Sequence, residues 1–271
     1  MVKMLVRRRR KAASPQRERR APGRLQRFLG WCVHAYTAVG LVIAAIIAVL
    51  LVEGAPGAFR WSFLLMLVAT LVDSTDGTLA RKVRIKEAVP TFDGRRLDDI
   101  IDFLTYTFLP VLLIYRAQIL PAGYAVCLLL PLVASVYGFC QVQAKTDDGY
   151  FLGFPSLWNI VAVYLYALPF GSWVSLAIIV VLALLTFVPS RYLYPSLPGK
   201  FNRVMTMLSI PWTIALVWII WTLPDATSQR NPMMVRVAWV SLIYPVLYLG
   251  ASWVISLNHW RKRPPASAEM V

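Results

Sequence analysis

The sequence predicts an all-α, polytopic membrane protein of about eight transmembrane helices. Three observations predict it. The 271-residue chain is 58% hydrophobic and has a mean hydropathy of +0.61, more apolar surface than a soluble domain of this size needs. Apolar runs of roughly 20 residues, the length that takes a helix across a bilayer, recur along it. Basic residues gather in alternate connections between those runs, which is the charge pattern of a multi-pass chain.

Residues 1–27 carry eleven Lys or Arg against one Glu and show no apolar periodicity. They read as a disordered basic arm resting on anionic lipid. A long apolar helix with no small-residue cleavage site follows, which argues against a removed signal peptide. The transmembrane region is expected over 28–260, with spans at 28–52, 61–80, 97–116, 119–141, 156–170, 173–189, 204–223 and 234–257. The fifth and sixth are short enough to form a re-entrant pair. Residues 261–271 make a short tail. With eight spans both termini share a side, and that side receives 24 Lys or Arg against 4 on the other. The expectation is a multi-pass membrane protein with cytoplasmic termini. The net charge of +15 is then a topology signal, and no nucleic acid is required to explain it. Cys32, Cys127 and Cys140 fall in apolar spans without metal-ligand spacing and read as small core residues. His34 and His259 have no evident ligand partner.

Between the second and third spans the pattern changes. Seven of the thirteen acidic residues lie within 73–102: Asp73, Asp76, Glu87, Asp93, Asp98, Asp99 and Asp102. Carboxylates at the edge of a membrane segment are expensive and usually functional. Asp73 and Asp76 are three apart, and Asp98 and Asp102 four apart, so each pair shares a helix face. Gly77 and Ala80 are small enough for a ligand or helix to approach closely. A polar turn with Pro90 and Gly94 joins the two helices. Asp98 and Asp99 could simply favour a helix N-terminus, and Arg81, Lys82, Arg84 and Lys86 could be flanking topology charge. That reading leaves Asp73 and Asp76 unexplained after a dozen apolar residues. Four like charges that converge need a cation. Oxygen-only ligands favour Mg²⁺ or Mn²⁺, and a pair of such ions suits displacement at phosphorus.

The spacing Asp73-x2-Asp76-Gly77-x2-Ala80-Arg81-x12-Gly94-x3-Asp98-x3-Asp102 resembles the signature of the CDP-alcohol phosphotransferases. Most of those membrane enzymes have eight residues between the Arg and the second Gly, and twelve stand here. The longer turn, with KTDDGYFLGFPSLWN at 145–159 and TFVPSRYLYP at 186–195, resembles the bacterial phosphatidylcholine synthase branch. The resemblance runs from about residue 30 onward and implies a CDP-alcohol phosphotransferase-like core. It implies that choline attacks CDP-diacylglycerol, giving phosphatidylcholine and CMP. It further implies that Asp73, Asp76, Asp98 and Asp102 hold two Mn²⁺ or Mg²⁺ ions, with Asp102 also the catalytic base. Gly77, Ala80, Arg81 and Gly94 would line the CDP site. Related enzymes are often dimers, so a homodimer is the assembly to expect.

A quaternary ammonium is commonly held by aromatic faces near negative charge. Asp147, Asp148, Tyr150, Phe151, Phe154 and Trp158, with Tyr106 one turn beyond Asp102, are therefore expected to form the choline pocket, unless the aromatics are an interfacial belt. Three rivals remain: transfer to serine, glycerol phosphate or inositol phosphate; a cation or proton transporter; and a scaffold with a nucleic-acid-binding arm. A phosphate-bearing acceptor wants a basic pocket, whereas 145–159 is acidic and aromatic. A transporter would spread its carboxylates along a path, and a scaffold leaves the clustered aspartates without a role.

Overall fold

The computed structural model describes residues 22–141, 150–193 and 200–262, without the side chains of 200–202 and 262. Most of the basic arm, the tail from 263, and Asp147 and Asp148 lie outside the described residues.

The fold is helical and built from apolar helices near the expected positions. α1 (Arg24–Glu53) and α2 (Ala58–Val83) form an antiparallel hairpin. Gly54, in the left-handed conformation at φ 67°, caps α1 by donating its N–H to Leu50 O, a geometry glycine adopts without a Cβ penalty. The turn read as polar instead contains a short helix, α3 (Ile85–Ala88). Its Ala88 and the following Val89 are buried. Both lean on α1 at Gly30, where a Cβ would lie 2.7 Å from Val89 Cγ2.

α4 (Gly94–Asp102) runs into a π-helical segment, Phe103–Phe108, and then α5 (Leu109–Arg116). Pro110 accounts for the wide turn, because its ring displaces the carbonyl of Tyr106 and removes one amide donor. A 3₁₀ turn, Ala125–Leu128, leads into α6 (Leu129–Cys140). After β1 (Phe151–Leu152) come α7 (Trp158–Ala167), α8 (Ser172–Phe187) and β2 (Arg191–Tyr192). β1 and β2 pair antiparallel, with Phe151 opposite Tyr192 and Leu152 opposite Arg191. α9 (Lys200–Trp221) follows, then α10 (Pro232–Ser241) and α11 (Ile243–Lys262). Pro245 explains the break at Leu242, since Ser241 O loses its amide donor.

Among the described residues, four stretches are long and apolar enough to cross a membrane by themselves: Arg24–Glu53, Ala58–Val83, Arg203–Trp221 and Pro232–Arg261. The segment expected over 156–170 forms only α7, whose ten residues rise about 15 Å against a hydrocarbon core of about 30 Å. It is the most enclosed helix. Trp158, Ala162, Tyr166 and Ala167 are fully buried, and α2, α5, the π segment and α10 surround it. The apolar core centres on this helix, and the lipid-facing surface carries the exposed Leu, Val and Ile.

Candidate active site

The site forms where α1, α2 and α4 meet. Asp73 and Asp76 come from the last three turns of α2, and Asp98 and Asp102 from α4. All four line one narrow pocket, with Thr37 and Gly40 of α1, Ala69 and Val72 of α2, and Ile101 and Thr105 beside them. Gly40 is the notch that admits α4, because a Cβ there would lie 2.6 Å from Ile101 Cγ2.

Within the pocket the carboxylates divide. Oxygens of Asp73, Asp98 and Asp102 all lie within 4.8 Å of one another, and the three side chains are half-buried. An all-oxygen set this close fits a hard divalent cation such as Mg²⁺ or Mn²⁺. Asp76 is buried, and its Oδ2 accepts a hydrogen bond from Thr37 Oγ1 at 2.8 Å. Tyr106 donates to Asp73 Oδ2 at 2.8 Å. Next to it, Asn159 Nδ2 of α7 reaches Thr70 Oγ1 at 3.5 Å. One wall of the site is thereby tied to the buried central helix.

The residues expected at the nucleotide differ in their surroundings. A Cβ at Gly77 would meet only Arg81 Nη1, at an ordinary 3.6 Å, so that wall is open. Arg81 is exposed, and its Nη2 donates to Thr78 Oγ1 at 3.0 Å. Ala80 lies one turn beyond Asp76 on the same helix. At Gly94 the Cβ direction is occupied by the His34 imidazole, 2.5 Å from Cε1 and 2.9 Å from Nδ1. The close approach that this glycine permits is of α1 to α4. Asp93 caps α4, accepting from the Arg96 amide at 3.3 Å. Its ion pair with Arg96 and that of Arg95 with Asp99 are exposed and contribute little.

Of the aromatics expected around choline, the structure brings Tyr106 to the carboxylates. Phe154 and Trp158 lie in the core at 5% and 0% exposure, packed edge-on against each other. Trp158 Nε1 donates to Ser135 Oγ at 3.0 Å. The Tyr150 ring is covered by the Arg191 guanidinium, 5.6 Å from its centroid. Phe151 stands in β1. Phe154 and Trp158 are thus packed in the core, and the guanidinium lies over one face of Tyr150. Thr37, Thr70 and Asn159 escaped the sequence reading, which gave His34 no role. The available signal was a stripe of small and polar residues on α1, Gly30, His34, Thr37, Gly40 and Ala44, spaced for close helix packing.

Residues 34–244 match the family model of the CDP-alcohol phosphatidyltransferases. The chain is 42% identical over 232 residues to a protein of Pseudomonas aeruginosa named phosphatidylcholine synthase, covering 85% of this chain and 91% of that one. A protein of the same name from Borreliella burgdorferi is 34% identical over 240 residues, covering 87% and 97%. Another, from Legionella bozemanae, is 41% identical over 191 residues, covering 70% and 88%.

Proposed function

The chain belongs to the CDP-alcohol phosphatidyltransferase family, and from that membership we propose that it transfers the phosphatidyl group of CDP-diacylglycerol to choline, releasing CMP. Similarity to three proteins named phosphatidylcholine synthase, over most of each chain, supports choline as the acceptor. The observation that carries the chemistry is the convergence of Asp73, Asp98 and Asp102 oxygens within 4.8 Å.

In this reading Asp73, Asp98 and Asp102, with Asp76, hold two divalent ions. Such ions, when bound, supply the positive charge that offsets the pyrophosphate and the departing CMP. Asp102 takes the choline hydroxyl proton. The choline oxygen bonds to the phosphorus that carries diacylglycerol, the bond from that phosphorus to the bridging oxygen breaks, and CMP leaves with that oxygen. Thr37 fixes Asp76, and the Tyr106 hydroxyl fixes Asp73, so two carboxylates are oriented before substrate arrives. Gly77 and Ala80 leave room for the nucleotide, and Arg81 reaches its phosphates by releasing Thr78. Tyr106, hydrogen-bonded to Asp73, is the aromatic in this reading that offers its face to the ammonium. The active site faces the cytoplasm, on the side that carries most of the Lys and Arg.

The test is CMP release by purified protein with Mn²⁺, comparing choline, serine and glycerol 3-phosphate. Choline-dependent turnover is expected, lost on chelation and reduced at least ~100-fold in Asp102→Asn, the lower end of what a positioned base contributes. Turnover only with another acceptor keeps the chemistry and overturns choline. No turnover with any of the three overturns the reaction itself.

A further inference from the structure

A second polar site stands on the back of α2. An open groove of about 400 Å³ is lined by Tyr36, Ser74, Thr75, Thr78, Leu79 and Lys82. At 3.6 residues per turn, Thr78 and Lys82 lie on the side of α2 opposite Asp73 and Ala80, so the groove and the carboxylate pocket are separated by the helix itself.

The groove face is graded along its length. Toward the middle of α2 it presents Val68 and Leu71, 45% and 64% exposed. One turn on it presents the hydroxyls of Ser74, Thr75 and Thr78, and in the last turn the ammonium of Lys82. Lipid-exposed polar groups are costly inside the hydrocarbon, so this order places the hydroxyls at the membrane boundary. The order also matches that of a phospholipid: acyl chain, ester-bearing glycerol, phosphate.

The hydrogen bonds leave donors for an anion. Ser74 and Thr75 donate to the carbonyls of Leu71 and Val72, and Tyr36 Oη lies 2.8 Å from Thr75 Oγ1. Thr78 Oγ1 accepts from Arg81 at 3.0 Å, which leaves its own proton to be given outward. Lys82 is not paired with a carboxylate among the described residues. The Lys82 cation and a hydroxyl donor at the end of a membrane-length helix suit an anionic headgroup better than a zwitterionic one.

We propose that this groove is a binding site for an anionic phospholipid, with the phosphate at Thr78 and Lys82 and an acyl chain along Leu71 and Val68. The site is separate from the one that holds substrate.

The test is native mass spectrometry of the full chain, released from detergent containing equal phosphatidylglycerol and phosphatidylcholine. Wild-type protein is expected to retain phosphatidylglycerol preferentially. Lys82→Glu should lower that adduct at least ~5-fold, and Lys82→Arg should keep it. CMP release in zwitterionic micelles should stay within about twofold of wild type in both variants, with the KM for CDP-diacylglycerol unchanged. A preference that survives Lys82→Glu overturns the site. So does a KM for CDP-diacylglycerol that rises as the adduct is lost, because the groove would then hold the phosphate of the substrate. The adduct is read without turnover, so failure of the proposed reaction would leave this result legible. Loss of the adduct in Lys82→Arg as well would show that charge does not govern it and would also overturn the proposal.

Discussion

His34 is 5% exposed and packs at a tilt against Phe92, 4.5 Å between ring centroids. Its Nε2 is buried without a hydrogen-bond partner among the described residues. The ring is held there by shape, pressed on the first residue of α4 at Gly94. Through that contact His34 sets the height of α4 against α1, and with it the positions of Asp98 and Asp102. Gly94→Ala is expected to cost choline-dependent activity ~10-fold or more by pushing α4 outward, since close-packed interiors transmit such strain. Adding His34→Ala removes the obstruction and should restore most of the rate. If the double variant stays as impaired as Gly94→Ala, the glycine serves the nucleotide directly and the His34 contact is incidental. The carboxylates themselves were legible, because i,i+3 and i,i+4 spacing is a property of one helix. Their partners were not. Thr37 is 39 residues from Asp76 and Tyr106 is 33 from Asp73, and no local rule links residues on separate helices at that distance.

Among the elements, β2 is held from an unusual side. One edge pairs with β1, and α11 lies against the other. Tyr248, Ser252 and Ser256 form an i,i+4 ladder on α11. Ser256 Oγ accepts from the Arg191 amide at 2.7 Å and donates toward Arg191 O at 3.2 Å. Ser252 Oγ accepts from the Leu193 amide at 3.3 Å, and Tyr248 donates to Leu193 O at 2.9 Å. A helix face of hydroxyls thereby does for β2 what a third strand would do. Ser256 is fully buried, and Ser256→Ala removes the hydrogen bond that the Arg191 amide gives it. The expected loss is ~1–3 kcal/mol, read as a lower melting temperature in detergent with the divalent-dependent reaction retained below it. An unchanged melting temperature would mean that α11 does not restrain β2. Two-residue strands have no periodicity to read, and the pairing joins segments 40 residues apart. The family resemblance therefore marked both segments as distinctive without revealing that they meet. The same limit hid α3: its apolar contribution, Ala88 and Val89, is too short to register against six surrounding basic residues.

At the scale of the whole molecule the two ends are built differently. One end carries the carboxylates, the α2–α4 connection and the β1–β2 pair. The other is closed by the α9–α10 connection: the Gly57 amide donates to Asp225 Oδ1 at 2.8 Å, Tyr166 Oη to Pro224 O at 2.8 Å, and Arg230 Nε to Tyr166 O at 2.9 Å. On the proposed orientation, the count of 24 Lys or Arg against 4 would put these ends on opposite sides of the membrane, with the carboxylates inside. Helix direction was legible because a span of fixed length must alternate sides. The short α7 does not weaken this, since it and α8 still return the chain to the carboxylate end at β2. Accessible cysteines test the orientation. In a chain with Cys32, Cys127 and Cys140 replaced, Ser228→Cys should react with a membrane-impermeant maleimide in intact cells, and Lys86→Cys only after the membrane is opened. Both positions are exposed, so burial does not mask either signal. The reverse pattern would turn the carboxylates away from the cytoplasm. Phosphatidyl transfer would then require its nucleotide-activated lipid on the outer face, and the charge count would have lost its meaning for this chain.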